Sequence, residues 1–402
     1  MNYIERASYL DRLSGLVGTP DIKVITGIRR SGKSELMLAF MRRLRASDAD
    51  ANIVYIDFVN LDFEYLKDYT KLNTYLKENV RPGVRNYLFI DEVQLCPKFE
   101  LVINSIYRER LYDIYLTGSN AFLLSSDLAT LFTGRVIPIS VFPFSFAEYC
   151  QYYEKETPDQ LFESYLVKGG MAGSYEYERE QDRIAYLRTV YEAIIQRDLK
   201  YKRKLPENRI LTHLAEYLMD NVSNITSSNN VAKKLVADGY DTTHVTIGNY
   251  MKYLCSAFLF YCVTRYDLRG NKYLETLEKY YLVDQGFRFA ELGMRNPDYG
   301  RIYENVVAIE LLRRGYEIYV GKLYQKEVDF VAIRGDEHLY IQVAQTLEDE
   351  AVLKRESAPL LAIRDGYPKL ILARTRHPEY QYEGIRVIDI VSWLLDTEQP
   401  LR

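Results

Sequence analysis

The chain has 402 residues, of which 48% are hydrophobic and 27% are charged, and its formal net charge is -4. This composition is typical of a globular protein of two or three domains, and it excludes a largely disordered chain. The small acidic excess lacks the overall basicity of a protein that coats nucleic acid, so any contact with nucleic acid would have to be a local patch.

Neither the cysteines nor the N-terminus indicates secretion or a membrane. The four cysteines lie far apart without metal-ligand spacing, as expected of free thiols in a reducing compartment. The first residues carry charges where a signal peptide needs an apolar region. No uncharged run approaches the roughly 20 residues of a membrane-spanning helix. We therefore expect a cytoplasmic protein without membrane contact.

The first half of the chain alternates short apolar runs with helical patterns. Five runs are predicted to be strands: Lys23–Thr26, Asn52–Phe58, Asn86–Asp91, Asp113–Ser119 and Val136–Ser140. Their nearly continuous apolar character is typical of parallel strands that are covered on both faces. Apolar residues recur at helical spacing between the first two runs. The pattern predicts an α/β domain built on a parallel sheet.

The remainder of the chain predicts two further parts. A helical pattern from about residue 159 ends at the basic cluster Lys200–Lys204 and Pro206, which indicates a boundary. Three short helical patterns and the β-like run Phe258–Tyr266 then outline a winged helix. The last part follows the order αβββαβ, typical of a compact mixed unit. We predict domains at residues 1–205, 206–270 and 271–402.

The segment GIRRSGKS, at residues 27–34, matches the phosphate-binding pattern G-x-x-x-x-G-K-[ST]. A predicted strand precedes it and an amphipathic helix follows, which is the context that this loop requires. The glycines keep side chains away from phosphate oxygens, and the helix N-terminus faces the anion. Lys33 would contact the β- and γ-phosphates, and Ser34 would bind magnesium. The predicted phosphate-binding residues are Gly27, Arg29, Arg30, Ser31, Gly32, Lys33 and Ser34.

An acidic pair ends the third predicted strand, in YLFIDE. Asp91 is predicted to orient magnesium through its water shell, and Glu92 to polarise the attacking water as general base. The next strand ends in LTGSN, where Asn120 or Ser119 would reach the γ-phosphate or the water. Arg135, just before the fifth strand, is the preferred arginine for stabilising charge on the γ-phosphoryl group. The alternatives are Arg29, Arg30 and Arg197.

These segments together resemble a known family. IKVITGIRRSGKSELM, YLFIDEVQ, LTGSNA, LFTGRV and FPFSFAEY resemble AAA-type ATPases of bacteria and archaea with a C-terminal domain of unknown function. The resemblance extends through KYYLVDQGF and KEVDFVAIRG to nearly the whole chain. It implies ATP as the nucleotide, a P-loop sheet with a helical lid, a winged-helix-like connector and a restriction-endonuclease-like C-terminal domain. The positions that match the family's functional residues are Lys33, Ser34, Asp91, Glu92, Asn120 and Arg135.

The C-terminal part departs from an active nuclease of that fold. Such nucleases hold metal with an acid on one strand and an E-x-K sequence on the next. Asp329 occupies the first position, with Glu304 nearby, but Gln342 and Ala344 replace the glutamate and the lysine. Gln342 is a poor ligand for a hard cation, and Ala344 cannot transfer a proton. We therefore predict no nuclease activity, with Asp329 and Glu304 as structural remnants or part of a binding surface.

The predicted function is an ATP-driven conformational switch, in which hydrolysis of Mg-ATP changes how the C-terminal domains meet a partner. Turnover would be slow if the completing arginine came from another subunit of a homo-oligomer. One alternative is a DNA-associated ATPase, although five basic and five acidic residues balance between Glu207 and Arg265. The other is a nucleotide-gated protein–protein scaffold with little hydrolysis. The partner protein stays unidentified.

Overall fold

The structure is a computed structural model that describes residues 4–118, 132, 134–196, 209–270, 272–294 and 297–396. The chain divides into two compact units, Met1–Phe142 with Ser256–Phe258, and Pro143–Cys255 with Leu259–Arg402. Several predicted features lie outside the described residues: Ser119, Asn120, Arg197 and Lys200–Lys204. Within the described part of the chain, no helix has both the length and the apolar character needed to cross a membrane.

A five-stranded parallel sheet lies at the centre of the first unit, with the strand order β2-β3-β4-β1-β5. Its strands are β1 Ile22–Thr26, β2 Asn52–Asp57, β3 Asn86–Asp91, β4 Asp113–Gly118 and β5 Val136–Ser140. The α-helices of this unit are Ala7–Gly15, Lys33–Ser47, Tyr69–Glu78 and Phe99–Arg108, and the 3-10 helices are Leu61–Lys67 and Val93–Leu95. The five strands and the α/β class are as predicted.

Helices cover both faces of this sheet because both faces are apolar. Consecutive residues of a strand point to opposite sides, and Val24 and Ile25 of β1 accordingly lie in two separate cores. On the Ile25 side, the rings of Phe89 and Tyr115 stack with their centroids 4.7 Å apart. Phe40 of the helix Lys33–Ser47 packs against Tyr115 at 5.4 Å. This packing fixes the start of that helix at the carboxyl edge of the sheet.

The second unit contains helices and one large sheet. Its α-helices are Phe146–Tyr152, Pro158–Lys168, Glu180–Ala193, Arg209–Asp220, Ser228–Ala237, His244–Ser256, Gln285–Leu292, Tyr299–Arg313, Glu350–Leu361 and Ile390–Leu395, with a 3-10 helix at Ala172–Glu176. Its strands are β6 Ile225–Thr226, β7 Phe260–Asp267, β8 Lys272–Leu282, β9 Glu317–Leu323, β10 Lys326–Arg334, β11 Glu337–Ala344, β12 Lys369–Ala373, β13 Tyr380–Tyr382 and β14 Ile385–Asp389.

These strands form a nine-stranded sheet with the order β13-β14-β12-β11-β10-β9-β7-β8-β6. The predicted αβββαβ order is present from the helix Tyr299–Arg313 to β12. The hairpin β7–β8 follows three helices, as in the predicted winged helix, but β7 also pairs in parallel with β9. The sequence did not predict this continuity between the hairpin and the C-terminal strands. The likeness to restriction endonucleases stays a prediction.

The helices between residues 143 and 193 lie in the second unit, whereas the sequence assigned them to the ATPase domain. They pack on C-terminal elements of the same unit. The ring of Phe162 lies 5.3 Å from that of Tyr303, and the Gly170 N–H donates to the Asp284 carboxylate at 2.5 Å. Burial of these contacts explains the grouping, which apolar periodicity alone does not reveal. The three domain boundaries themselves stay predictions.

Candidate nucleotide-binding site

The carboxyl edge of the parallel sheet carries the predicted phosphate loop and the acidic pair. Thr117 of β4 lies opposite Ile25 of β1, and Asp91 ends β3 at the same level, one residue beyond the pairing with β4. Since β4 lies between β1 and β3, the ends of these two strands are two strand spacings apart, about 10 Å. The sheet thus brings the loop that begins at Gly27 and the acidic pair to one side.

The loop curls because several of its residues have positive φ. Gly27 has φ +146°, and a Cβ atom there would lie only 2.1 Å from the Val141 carbonyl oxygen. Gly32 has φ +89° and directly precedes the helix Lys33–Ser47. Arg30 also has a positive φ, of 66°, although a side chain in this region costs about 1–2 kcal/mol. Such strain is typical of loops whose conformation serves a ligand.

The side chain of Lys33 is buried inside the loop. Its Nζ donates to the carbonyl oxygens of Gly27 at 3.0 Å and Ile28 at 2.8 Å. Ser31 is also buried, and its Oγ has no hydrogen-bond partner among the described residues. A buried hydroxyl without a partner is costly, and a phosphate oxygen would accept its hydrogen bond. The loop residues therefore fit a polyphosphate.

Arg6, which the sequence did not identify, forms a hydrogen bond to the backbone of the phosphate loop. Arg6 is buried, and its Nη1 donates to the Ser31 carbonyl oxygen at 3.1 Å. Its guanidinium lies 4.5 Å from the centroid of the Tyr9 ring. Tyr9 in turn accepts a hydrogen bond from the Phe142 N–H at 3.2 Å. No local pattern links an arginine before the first helix to a loop 25 residues later, so the sequence carried no usable signal.

The acidic pair is oriented by a threonine and a glutamine. Asp91 is buried and accepts hydrogen bonds from the Glu92 N–H, at 3.1 Å, and from the Thr117 hydroxyl. Thr117 Oγ1 also lies 3.0 Å from the Glu92 nitrogen. Glu92 has a left-handed backbone, φ 51°, and its carboxylate accepts from Gln94 Nε2. The sequence did not identify Thr117 or Gln94, although Thr117 is the penultimate residue of the strand beside Asp91.

Negative charge is concentrated at this edge. Asp57 of β2 lies opposite Asp91 in the parallel pairing. Burial raises the pKa of Tyr55, and the neighbouring carboxylates of Asp91, Asp57 and Glu35 raise it further. Among the described residues, no group of His, Cys, Asp and Glu suits a metal ion by itself. A carboxylate such as that of Asp91 nevertheless fits magnesium, because this ion commonly binds one or two carboxylates together with substrate phosphates. The exposed Ser34 adds a hydroxyl.

Arg135 lies at the opposite edge of the sheet, contrary to its predicted role beside the γ-phosphate. Its carbonyl oxygen accepts from the Ile22 N–H, at the start of β1, at 2.8 Å. The five residues of β1 span about 16 Å to the phosphate loop. The Arg135 guanidinium packs over the Tyr107 ring, 5.1 Å from its centroid. The reason is chain direction, because a residue that precedes a parallel strand lies at the amino edge and ligand-binding loops follow the carboxyl ends.

A second charged cluster is buried in the C-terminal sheet. Lys279 is 3% exposed, and its Nζ lies 2.8 Å from Glu304 Oε1, 2.9 Å from Glu327 Oε1 and 3.8 Å from Asp329 Oδ1. Burial alone would lower the pKa of Lys279, but these three carboxylates raise it above the ordinary value. Lys279 therefore remains an ammonium ion inside the cluster.

The other contacts of this cluster also come from the protein itself. Asp329 Oδ2 accepts from the Val343 N–H at 2.8 Å, and Gln342 Oε1 accepts from the Asp329 N–H at 3.4 Å. Gln342 Nε2 donates to Glu356 at 3.0 Å. Burial raises the pKa of Asp329 well above its usual range, and Glu304 adds to the rise. An ammonium ion thus lies where the predicted metal ligands converge, which supports a structural role for Asp329 and Glu304.

Comparison with known proteins places these features in a family. The family described as "AAA domain" matches residues 19–150, and a "Domain of unknown function (DUF8612)" matches residues 159–298. An uncharacterised protein of Haemophilus influenzae is 35% identical over 398 residues and 98% of each chain. The uncharacterised protein MJ1544 of Methanocaldococcus jannaschii is 24% identical over 92% of this chain and 84% of its own length.

Among solved structures, the Walker-type ATPase paby2304 of Pyrococcus abyssi matches with a TM-score of 0.46 and 15% identity, over 72% of this chain and 95% of that one. The phosphate loop, the acidic pair and the parallel sheet define a P-loop protein of the AAA type. The chain belongs to the family of AAA-type ATPases that carry a C-terminal domain of unknown function. The AAA domain implies that the protein binds a nucleotide.

Proposed function

We propose that the protein binds Mg-ATP at residues 27–34, hydrolyses it, and uses hydrolysis to switch the conformation of its C-terminal domains. The observation that carries the proposal is the strained loop closed around Lys33, at the same sheet edge as the oriented pair Asp91 and Glu92. A loop with no ligand would have little reason to maintain positive φ at Arg30 and a buried, unpaired Ser31 hydroxyl.

Each residue has a defined role in this proposal. Lys33 binds the β- and γ-phosphates, and Ser34 and Asp91 would hold Mg²⁺, which neutralises charge on the phosphate oxygens. Glu92 accepts the proton of the attacking water. Gln94 and Thr117 orient Glu92 and Asp91 through their hydrogen bonds. Asn120 keeps its proposed sensor role. The arginine that completes the site is Arg29, Arg30 or an arginine from a second copy of the chain. Arg135 would act only from such a second copy.

Phosphate release from ATP tests the proposed chemistry. Wild-type protein should turn over, while Glu92→Gln should still bind a fluorescent ATP analogue but lose about 10²–10⁴-fold in rate, the usual contribution of a general base. Lys33→Ala should lose nucleotide binding. Glu78→Gln, an exposed change on a neighbouring helix, is the matched control. If Glu92→Gln released phosphate at the wild-type rate, the assigned base would be wrong.

Hydrogen exchange tests the switch separately from the chemistry. Glu92→Gln should trap the ATP-bound form, so exchange between residues 209 and 396 should differ between its ATP complex and the ADP complex of the wild type. Identical exchange in both complexes, with hydrolysis intact, would reject the switch. If the wild type bound ATP without releasing phosphate, the nucleotide-gated scaffold would replace it.

A further inference from the structure

A cleft opens at the amino edge of the parallel sheet, the edge opposite the phosphate loop, and has a volume of about 1020 Å³. Four arginines line it. Arg85 precedes β3, Arg108 and Arg110 lie at the end of the helix Phe99–Arg108 before β4, and Arg135 precedes β5. The first three are exposed and Arg135 is half-buried. None of the four forms an ion pair with another residue in the part of the chain that the structure describes.

The acidic residues of the cleft do not neutralise these arginines. Its two carboxylates belong to Asp21 and Asp113. Asp113 is already paired, since its Oδ1 lies 2.6 Å from the buried Lys23 Nζ and its Oδ2 accepts from the Gly18 N–H at 2.9 Å. The cleft is therefore a local positive patch on a chain whose net charge is -4. Such a patch attracts anions over the range of the screening length.

The arginines form a row along the sheet edge. In the strand order, β3 and β5 are three strand spacings apart, which places Arg85 and Arg135 about 14 Å from each other along the edge. Arg108 and Arg110 lie at β4, between them. A single phosphate is bound by donors that converge on one point, whereas a row of guanidinium groups matches a chain of phosphates.

Arg110 maintains this row at a conformational cost. The helix Phe99–Arg108 ends in a turn in which the Leu111 N–H bonds the Ile106 carbonyl at 3.3 Å and the Arg110 N–H bonds the Tyr107 carbonyl at 3.1 Å. Arg110 has φ 52° in this turn, at a position where glycine is usual. A strained residue kept in a cleft is an indication of function.

We propose that this cleft binds the phosphodiester backbone of a nucleic acid. The site is separate from the nucleotide site and goes beyond the proposed ATPase function. The cleft is open, and its volume is as large as that of the largest small-molecule pockets. An extended ligand requires such an open and large site. Backbone contacts position a nucleic acid without selecting its sequence, so binding should be strong at low salt and independent of sequence.

The proposal is tested by fluorescence anisotropy without ATP. The labelled probe is one oligonucleotide sequence, used as a single strand and as a duplex. The variant Arg85→Ala/Arg108→Gln/Arg110→Gly removes three charges at exposed positions, and glycine suits the backbone of Arg110. We expect its affinity to fall on the order of tenfold or more. The slope of log K against log salt should fall by about 2 for the single strand, since each phosphate contact contributes about 0.7.

Two controls make the result decisive. Arg45→Ala removes an exposed arginine elsewhere in the same unit and should bind as the wild type does. Lys33→Ala should also bind normally, which would separate this site from the ATPase. Wild-type affinity and salt slope in the triple variant, verified as folded by its thermal melt, would overturn the proposal. Equal competition by polyglutamate would overturn it too, because the cleft would then select an acidic protein segment.

Discussion

The two units stabilise buried carboxylates with different kinds of partner. In the first unit, Asp91 is held by a backbone N–H and a threonine hydroxyl, which orient the carboxylate without neutralising it. In the second unit, Glu304, Glu327 and Asp329 surround the ammonium group of Lys279. A buried charge is tolerated only with a partner, so the site around Asp91 suits an added cation, whereas the Lys279 cluster contains a cation of its own.

The hydrogen bonding of polar side chains follows the same contrast. Near the first cluster, the hydroxyls of Ser31 and Thr26 are buried without a hydrogen-bond partner among the described residues. In the second cluster the carboxylates of Glu304 and Asp329 have partners within the chain. Buried polar atoms without partners lower the folding stability, and such a loss is typical of functional sites.

The largest expected effect comes from removing the internal cation. Lys279→Met removes the cation beside the buried carboxylates of Glu304 and Asp329 and should lower the free energy of unfolding by about 3–5 kcal/mol at neutral pH. Burial already raises the pKa of Glu304 above its ordinary value. Without the lysine this pKa rises further, so the variant should lose stability as the pH rises above about 4 and regain it on acidification.

Urea denaturation at several pH values measures this loss, with Lys354→Met as the control. Lys354 forms an exposed helix pair with Glu350, and such pairs contribute little to stability. An unchanged midpoint in Lys279→Met would mean that the carboxylates are satisfied in another way, and the contrast between the two clusters would fail.

Added ligand should distinguish the units next. At a Mg-ATP concentration 100 times the Kd, the nucleotide-binding state gains about 2.7 kcal/mol, measured with Glu92→Gln to prevent turnover. Mg²⁺ or Mn²⁺ alone should not stabilise the second unit, because the ammonium group of Lys279 lies among the carboxylates that would bind the metal. Stabilisation of the second unit by metal alone, or plasmid nicking lost in Asp329→Ala, would contradict the predicted absence of nuclease activity.

Neutralising one buried carboxylate in each unit should change the free energy of unfolding in opposite directions. Asp91→Asn replaces a buried carboxylate whose hydrogen bonds come from neutral groups, an N–H and a hydroxyl, and should raise the stability of the nucleotide-free protein by about 0.5–2 kcal/mol. It should also abolish stabilisation by Mg-ATP. Glu304→Gln removes a partner of Lys279 at 2.8 Å and should destabilise. Thermal melts of both variants give the comparison, and the same sign in both would refute it.

The first site was predictable because its chemistry is local in sequence. The loop at residues 27–34 and the pair Asp91–Glu92 each follow an apolar strand, and parallel strands bring their carboxyl ends together. The position of Arg135 at the amino edge of the sheet was predictable from chain direction as well, although its predicted role was at the γ-phosphate. In the second cluster, the resemblance brought Asp329 and Glu304 together but did not predict Lys279 beside them, because Lys279 lies on a separate strand whose pairing is long-range.

The smallest expected effect concerns Thr117, which orients Asp91 and lies within hydrogen-bonding distance of the Glu92 nitrogen. Thr117→Val keeps the shape of the side chain but removes the hydroxyl, so about one hydrogen bond, or 1–1.5 kcal/mol, is lost. We expect kcat to fall about tenfold while KM stays unchanged, because phosphate contacts come from the loop. Thr117→Ser should restore the rate, and Thr74→Val, at an exposed helix position, should leave it unaffected. If Thr117→Val instead raised KM alone, the hydroxyl would serve nucleotide binding, and the orientation of the acidic pair would have another source.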